Sequence, residues 1–409
     1  MRRDCWICSI ALLVANCLST ALVANAAPGD HFNLRPSDLP APNTTLPQEL
    51  TPSFDPPPRG SVPKVPAGFT ISQFGGLGYV RSLTVAPNGD VFVVRPQGDV
   101  LRMRDTTGAG KADKADKVET FTSGFKNPHG IAIRDGQLYI SDMSAVWHAP
   151  YLDRQTIPIS EFQRVTSAPD LRPKGEHTTR DIVFDQGGKL YLAVGSADDV
   201  SEAPPPDATI ELIAADGSMS PYASGLRNVE GLAFYPGTDD LWVTVNERDG
   251  LGARVPADFM AHARAGDFFG WPYAYNGILP DPVFGAKRPE MVAKSKTPEV
   301  LFEAHSAPLG LVFYTGTQFP AEYRNNAFVA FHGSGPYDQP DGYKVVRVPF
   351  KDGKPVGGYE DFVTGFFSYT GGKVSMWGSP SQLAVAIDGS LLFIDDKNNC
   401  IWRVAYKGD

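Results

Sequence analysis

Six stretches of the chain repeat one template: a short apolar segment, a turn with Gly or Asp-Gly, and a second apolar-aromatic segment. The copies are SLTVAPNGDVFVV (Ser82–Val94), GIAIRDGQLYIS (Gly130–Ser141), DIVFDQGGKLYLAV (Asp181–Val194), GLAFYPGTDDLWVTV (Gly231–Val245), GLVFYTGTQFPAEYRNNAFVAF (Gly310–Phe331) and LAVAIDGSLLFID (Leu383–Asp395). Each reads as two strands of period-2 alternation joined by a tight turn. The copies start roughly every 50 residues, with two larger steps late in the chain, which leaves room for four strands per unit. The repeat predicts an all-β fold, a six-bladed β-propeller with four-stranded blades. Propellers place their chemistry at one mouth of the central channel, so the repeat also says where to look.

The chain has 409 residues, 42% of them apolar, with 41 Gly and 36 Pro. That supports a large core with many turns and few long helices. The formal charge of −9 argues against nucleic-acid or anionic-membrane partners, which call for a basic face. Met1-Arg2-Arg3, the apolar Ile10–Val14 and Ala21–Ala24, and Ala24-Asn25-Ala26 read as a signal peptide over 1–26. The expectation is a periplasmic or secreted protein with no transmembrane anchor. A lipid anchor at Cys17 is disfavoured, because Asn16 stands where a small residue is expected. Cys5, Cys8 and Cys17 fall in the leader, so the mature chain keeps only Cys400 and has no internal disulfide or thiolate metal cluster.

Residues 27–64 are rich in Pro, Asn, Thr and Ser and read as an extended, poorly ordered lead-in. The propeller is expected over 65–409. GFTISQFG (Gly68–Gly75) is a lone early strand that suits pairing with the last blade, leaving no open edge. Two insertions stand out. Asp249–Lys296 holds an expected short helix (Pro256–Ala265) and the loop GDFFGWPYAYNG (Gly266–Gly277). His332–Gly342 is a Gly/Pro-rich loop of the fifth blade. Asp105–Asp116 reads as an exposed hairpin.

The residues just before each copy should share one rim. They are Arg81, His129, His177 with Arg180, Arg227 with Asn228, His305, and Trp377-Gly378-Ser379 with Gln382. A ring of Arg and His on an acidic protein favours an anion site, because guanidinium forks match carboxylates. His177 is the candidate general base, since neighbouring arginines would keep its imidazole neutral. Glu247, Arg248 and Asp249, after the fourth blade's second strand, are the candidate site for a hard cation such as Ca²⁺; the alternative is a solvated acidic turn.

At these residues the chain resembles the pyrroloquinoline-quinone (PQQ) dependent glucose/sorbosone dehydrogenase family. The matching motifs are NPHGIAI (Asn127–Ile133), HTTRDIVF (His177–Phe184), SGLRNVEGLAF (Ser224–Phe234), VNERDGLG (Val245–Gly252), FFGWPYAY (Phe268–Tyr275), HSAPLGLVFYTGTQFP (His305–Pro320) and GYKVVRV (Gly342–Val348). The resemblance implies PQQ over the channel and a sugar or sugar-aldehyde substrate. It implies His177 as base, Arg227 and Asn228 near the quinone oxygens, Lys344 on the cofactor, and His129 and Arg180 on the cofactor rim. It implies Ca²⁺ at Glu247 and Arg248, with Asp249 beside them. No CxxCH haem site is present, so electrons leave to a separate acceptor, a cytochrome or a quinone.

Two departures stand against a simple carry-over. Ser379 replaces an Arg that relatives carry before the last blade, and HGSGPYDQ (His332–Gln339) replaces a Trp-Asn-Arg version of the fifth-blade loop. A binding propeller that has lost PQQ, and a calcium-dependent hydrolase of the lactonase type, are the alternative readings.

Overall fold

The computed structural model describes residues 26–45, 53–57, 60–107, 118–152, 156–167, 171, 175–334, 341–370 and 373–408. The leader, most of the Asp105–Asp116 stretch, and Tyr337 and Asp338 of the fifth-blade loop lie outside them. Among the described residues no helix is long and apolar enough to cross a membrane.

Six antiparallel sheets form the blades, each written from the channel outward. The first comprises Ser82–Val85, Val91–Arg95, Asp99–Met103 and Glu119–Ser123. The second comprises Ile131–Arg134, Gln137–Ser141, Val146–Pro150 and Gln163–Arg164, and the third Ile182–Phe184, Leu190–Val194, Thr209–Ile213 and Met219–Ser224. The fourth comprises Asn228–Phe234, Leu241–Asn246, Phe259–Ala263 and Val300–Leu301. The fifth comprises Pro308–Phe313, Ala327–Phe331, Lys344–Val348 and Tyr359–Val363. The sixth comprises Pro380–Val385, Leu391–Asp395, Cys400–Tyr406 and, from the start of the chain, Phe69–Gly76. That last strand pairs along Cys400–Tyr406, from Phe69 opposite Tyr406 to Gly76 opposite Cys400. The expected closure is therefore present. The inner strands touch in ring order, and Pro380–Val385 meets Ser82–Val85 to complete the circle.

The second strand of each blade explains why the repeat is so apolar. Its two faces bury against different neighbours. Val91 and Val93 pack with Leu392 and Ile394 of the sixth blade. Phe92 and Val94, between them in sequence, pack with Leu138 and Ile140 of the second. Phe328 and Ala330 face the sixth blade, while Ala327, Val329 and Phe331 face the fourth. Each Val, Leu, Ile or Phe among them contributes about 1.5–3 kcal/mol when fully buried.

Two expectations need correction. Pro256–Ala265 is not a helix. Phe259–Ala263 is the third strand of the fourth blade, in register with Leu241–Val245. Met and Ala favour helix locally, but Phe259, Ala261 and Ala263 fill the core toward the third blade and Met260 the core toward the fifth. Burial on both faces overrides propensity. The insertion's one described α-helix is Pro289–Lys294.

The lead-in is extended, but its described parts are ordered against the propeller. His31–Phe32 adds a fifth strand to the fifth blade, opposite Tyr359 and Glu360. Leu34 bridges to Leu301 of the fourth, and Ser53–Phe54 pairs in parallel with Ser375–Met376.

Inner-strand glycines mark where blades crowd at the axis. A Cβ on Gly231 would lie 2.5 Å from the Leu309 carbonyl oxygen and 2.7 Å from Thr244 Oγ1, which itself donates to that carbonyl. Gly231→Ala is expected to cost about 1–3 kcal/mol through overpacking, read as a lowered urea midpoint with an unchanged slope.

Candidate functional site

The start of each inner strand and the end of each second strand lie side by side, because the two run antiparallel. One mouth of the channel is built from both sets. His177 precedes the third blade. Its Nδ1 is 2.9 Å from the Ser196 carbonyl oxygen and 3.0 Å from Ser196 Oγ. A carbonyl only accepts, and Ser196 Oγ spends its proton on the Asp198 carbonyl. Nδ1 therefore carries the hydrogen, and the Nε2 lone pair is left uncommitted. Burial, then the nearby Arg227 charge, pulls the His177 pKa down to about 4. The ring is neutral at neutral pH with one basic nitrogen available.

Arg227 is the tie between the third and fourth blades. Nη2 pairs with Asp199 Oδ1 at 2.7 Å, Nε donates to the Asp199 carbonyl, and Nη1 donates to the carbonyls of Asn246 and Glu247. The Asp199 carbonyl also takes Trp271 Nε1 at 3.1 Å, which brings the GDFFGWPYAYNG loop to the mouth. Asn228 donates through Nδ2 to Glu230 Oε1 at 2.8 Å, and its buried Oδ1 has no partner. Gly195 sits between Asn228 and His177. A Cβ there would lie 2.6 Å from His177 Cβ and 2.7 Å from Asn228 Oδ1.

Glu230 carries the ring toward the first two blades. Its Oε1 also accepts the Thr179 hydroxyl. Its Oε2 is unpartnered, 3.9 Å from His129 Nε2. His129 is buried and its Nδ1 has no partner. Burial, then the charges of Arg81 and Arg180, lower its pKa to about 3. Arg81 pairs with Asp396 at 2.9 Å, and the same carboxylate oxygen meets His332 Nε2 at 2.9 Å.

The expected cationic rim is thus corrected to a balanced one. Arg81 is matched by Asp396 and Arg227 by Asp199. Arg180 spends donors on the carbonyls of His177, Thr179 and Leu171. Ser379 is buried, with Oγ on the His332 carbonyl and its N–H on Asp395.

Glu247, Arg248 and Asp249 do not act as one set. Glu247 is buried, Oε1 is unpartnered, and burial raises its pKa to about 8. Arg248 Nη1 is bound to Asp281 at 2.6 Å, which leaves its backbone carbonyl as the only group it could offer a cation. Asp249 is exposed and pairs with His305 Nδ1 at 3.1 Å. His305 Nε2 lies 3.0 Å from the Gly252 carbonyl. Burial pulls the His305 pKa down, but the hydrogen bonds to Asp249 and the Gly252 carbonyl outweigh it and the pKa is raised. Among the described residues no group of three or more His, Cys, Asp or Glu is arranged to hold a metal ion.

Among the described residues, the contacts of the Lys344 ammonium lie outside this ring. Its buried ammonium pairs with Asp361 at 2.8 Å and Glu303 at 3.0 Å, and sits 4.2 Å from the centre of the Phe32 ring.

Sequence reasoning missed Asp199, Glu230, His332 and Asp396. Three of them follow second strands, GSADD after LAV, H after AFVAF and D after LLFID. That position was open to the same template argument that found Arg81 and His177.

The residues fit the implied cofactors in part. The acceptors His177 Nε2 and the unpartnered Asn228 Oδ1 suit a substrate hydroxyl, and the Arg227 charge with the cradle that a Cβ at Gly195 would fill suits a quinone. The unpartnered Glu247 oxygen suits a cation. Lys344 and Ser379 offer no charge to a cofactor carboxylate.

The family described as TrAA12-like matches residues 63–262 and 289–368. An uncharacterised protein of Borreliella burgdorferi is 29% identical over 359 residues, covering 84% of this chain and 91% of that protein. The fold is shared with the holo form of the pyranose dehydrogenase PQQ domain from Coprinopsis cinerea, with a TM-score of 0.70, 18% identity, and coverage of 87% of this chain and 100% of that one. It is also shared with the calcium structure of the Trichoderma reesei Carbohydrate-Active Enzymes Family AA12 protein, with a TM-score of 0.69, 19% identity, and coverage of 84% and 97%.

Nitrogen-15 NMR of labelled histidines checks the protonation states. His177 is expected as the Nδ1–H tautomer with a midpoint near 4, and His305 with a midpoint raised above the ordinary imidazole value.

Proposed function

Because this chain belongs to the TrAA12-like family, in the six-bladed propeller superfamily of PQQ-dependent glucose/sorbosone dehydrogenases, we propose that it is a periplasmic or secreted quinoprotein that oxidises a sugar or sugar aldehyde. The observation that carries this reading is His177: a neutral imidazole whose Nδ1–H is fixed on Ser196 and whose Nε2 is uncommitted, beside Arg227 and Asn228. The kinship to a pyranose dehydrogenase PQQ domain supports the choice of substrate class.

When bound, PQQ supplies a hydride acceptor and Ca²⁺ a Lewis acid. His177 Nε2 takes the proton of the substrate hydroxyl while Nδ1–H stays on the Ser196 carbonyl, so the ring keeps its orientation as it becomes charged. Arg227 holds a fixed positive charge at the mouth, oriented by Asp199 and two backbone carbonyls. Asn228, anchored by Glu230, presents Oδ1 as an acceptor. Glu247 would offer a cation its carboxylate. His129 keeps one ring nitrogen for the cofactor rim. The electrons pass to a separate cytochrome or quinone.

A propeller that has lost PQQ is the second reading, and the neutralised Lys344 favours it. Dye reduction by the protein loaded with PQQ and Ca²⁺ separates the two. The proposal expects sugar-dependent turnover, with His177→Ala lowering kcat about a hundred- to ten-thousandfold. The base works unprotonated, so kcat/KM should hold at neutral pH and fall about tenfold per unit as pH drops below about 4. No turnover with any aldose despite stoichiometric loading would sink it.

Calcium affinity should show the opposite limb. Glu247 must lose its proton to bind, so apparent affinity should rise about tenfold from about pH 7 to about pH 9, around its pKa of about 8. Calorimetry on wild type and Glu247→Gln checks this, the variant losing the pH dependence.

A further inference from the structure

A cavity lies between the third and fourth blades on the same face as His177, outward of it. It has a volume of about 390 Å³, within the ~300–1,000 Å³ range of small-molecule sites. One wall is the loop between the third blade's second and third strands, with Glu202, Asp207 and Thr209. The other comes from the fourth-blade insertion, with Trp271, Tyr273 and Met291. Two contacts join the walls: Trp271 Nε1 to the Asp199 carbonyl, and the Tyr273 hydroxyl to Glu202 at 2.8 Å.

The lining chemistry narrows the ligand. No Lys, Arg or His is among the described lining residues, which disfavours an anion. Carboxylates and hydroxyls accept and donate to vicinal hydroxyl groups. Aromatic, proline and methionine surfaces suit the C–H faces of a ring. That combination fits a neutral polyol with apolar faces, which is a sugar ring.

Position gives the cavity its meaning. Asp199 connects the cavity to the mouth: its carbonyl holds the lining residue Trp271, while its carboxylate holds Arg227. The cavity is thus linked to the mouth through Trp271, Asp199 and Arg227. We propose that this cavity is a second sugar-ring subsite, so that the protein acts on the end of a neutral oligosaccharide in preference to a free monosaccharide. The oxidation rests on the function proposed above; the binding does not.

The test is calorimetric titration of the protein without PQQ, using glucose, maltose and cellobiose. At least one disaccharide should bind about tenfold or more tightly than glucose, a difference of about 1.4 kcal/mol. Tyr273→Ala, and independently the exposed Glu202→Gln, should bring the two sugars within about twofold. Equal affinities in the wild type, no binding of any of the sugars, or a preference that survives in both variants would each overturn the subsite. Disaccharide-selective binding without oxidation by the PQQ-loaded protein would uphold the subsite while ending the dehydrogenase reading.

Discussion

A charge buried at the axis of a propeller must find its partner on another blade, because water is scarce there and an unpaired ion costs several kcal/mol. The rest of the mouth follows from that constraint. Arg81 of the first blade reaches Asp396 of the sixth, which also holds His332 of the fifth. Arg227 of the fourth reaches Asp199 of the third. Glu230 of the fourth takes the Thr179 hydroxyl from the third and faces His129 of the second. The polar ring stitches the blades together at the end where their apolar interfaces stop. Burial, and then the fixed arginine charges beside them, hold His129 and His177 neutral.

The interblade cores make this ring possible. Because both faces of each second strand are buried, the strand cannot slip by one residue without exchanging one full interface for another. The residues at its end are therefore fixed in register against the start of the inner strand. That is how Ser196, at the end of the third blade's second strand, comes to hold His177 at its start. The glycine before it, Gly195, leaves bare backbone where a side chain would separate His177 from Asn228.

Much of this was legible in the sequence, and the omissions have physical causes. The six copies could be read because an apolar run buried on both faces, set off by a Gly-containing turn, leaves a direct mark on the sequence. The rim histidines and arginines could be read because they share one template position. Phe259–Ala263 was misread because local propensity carries no information on how many faces of a segment are buried. The N-terminal arm was misread because Pro-rich sequence resembles unpaired chain, while the fifth-blade edge offers it hydrogen bonds that no local pattern announces. The anion-binding rim was inferred from one half of the mouth. Its carboxylates come from the other half, so charge balance was invisible until antiparallel pairing placed the halves together. Lys344 lies at the start of a third strand, one layer out from the channel, where Asp361 and Glu303 claim it.

The account stands on the mouth accepting a quinone around His177, Arg227 and Asn228 in spite of its internal ion pairs. Titration of PQQ into the purified protein with Ca²⁺, followed by calorimetry at neutral pH, tests that most directly. The account predicts one PQQ per propeller, with binding weakened about ten- to a hundredfold in Arg227→Ala and in Asn228→Ala. No binding to the folded wild-type protein, or binding that neither substitution alters, would contradict it.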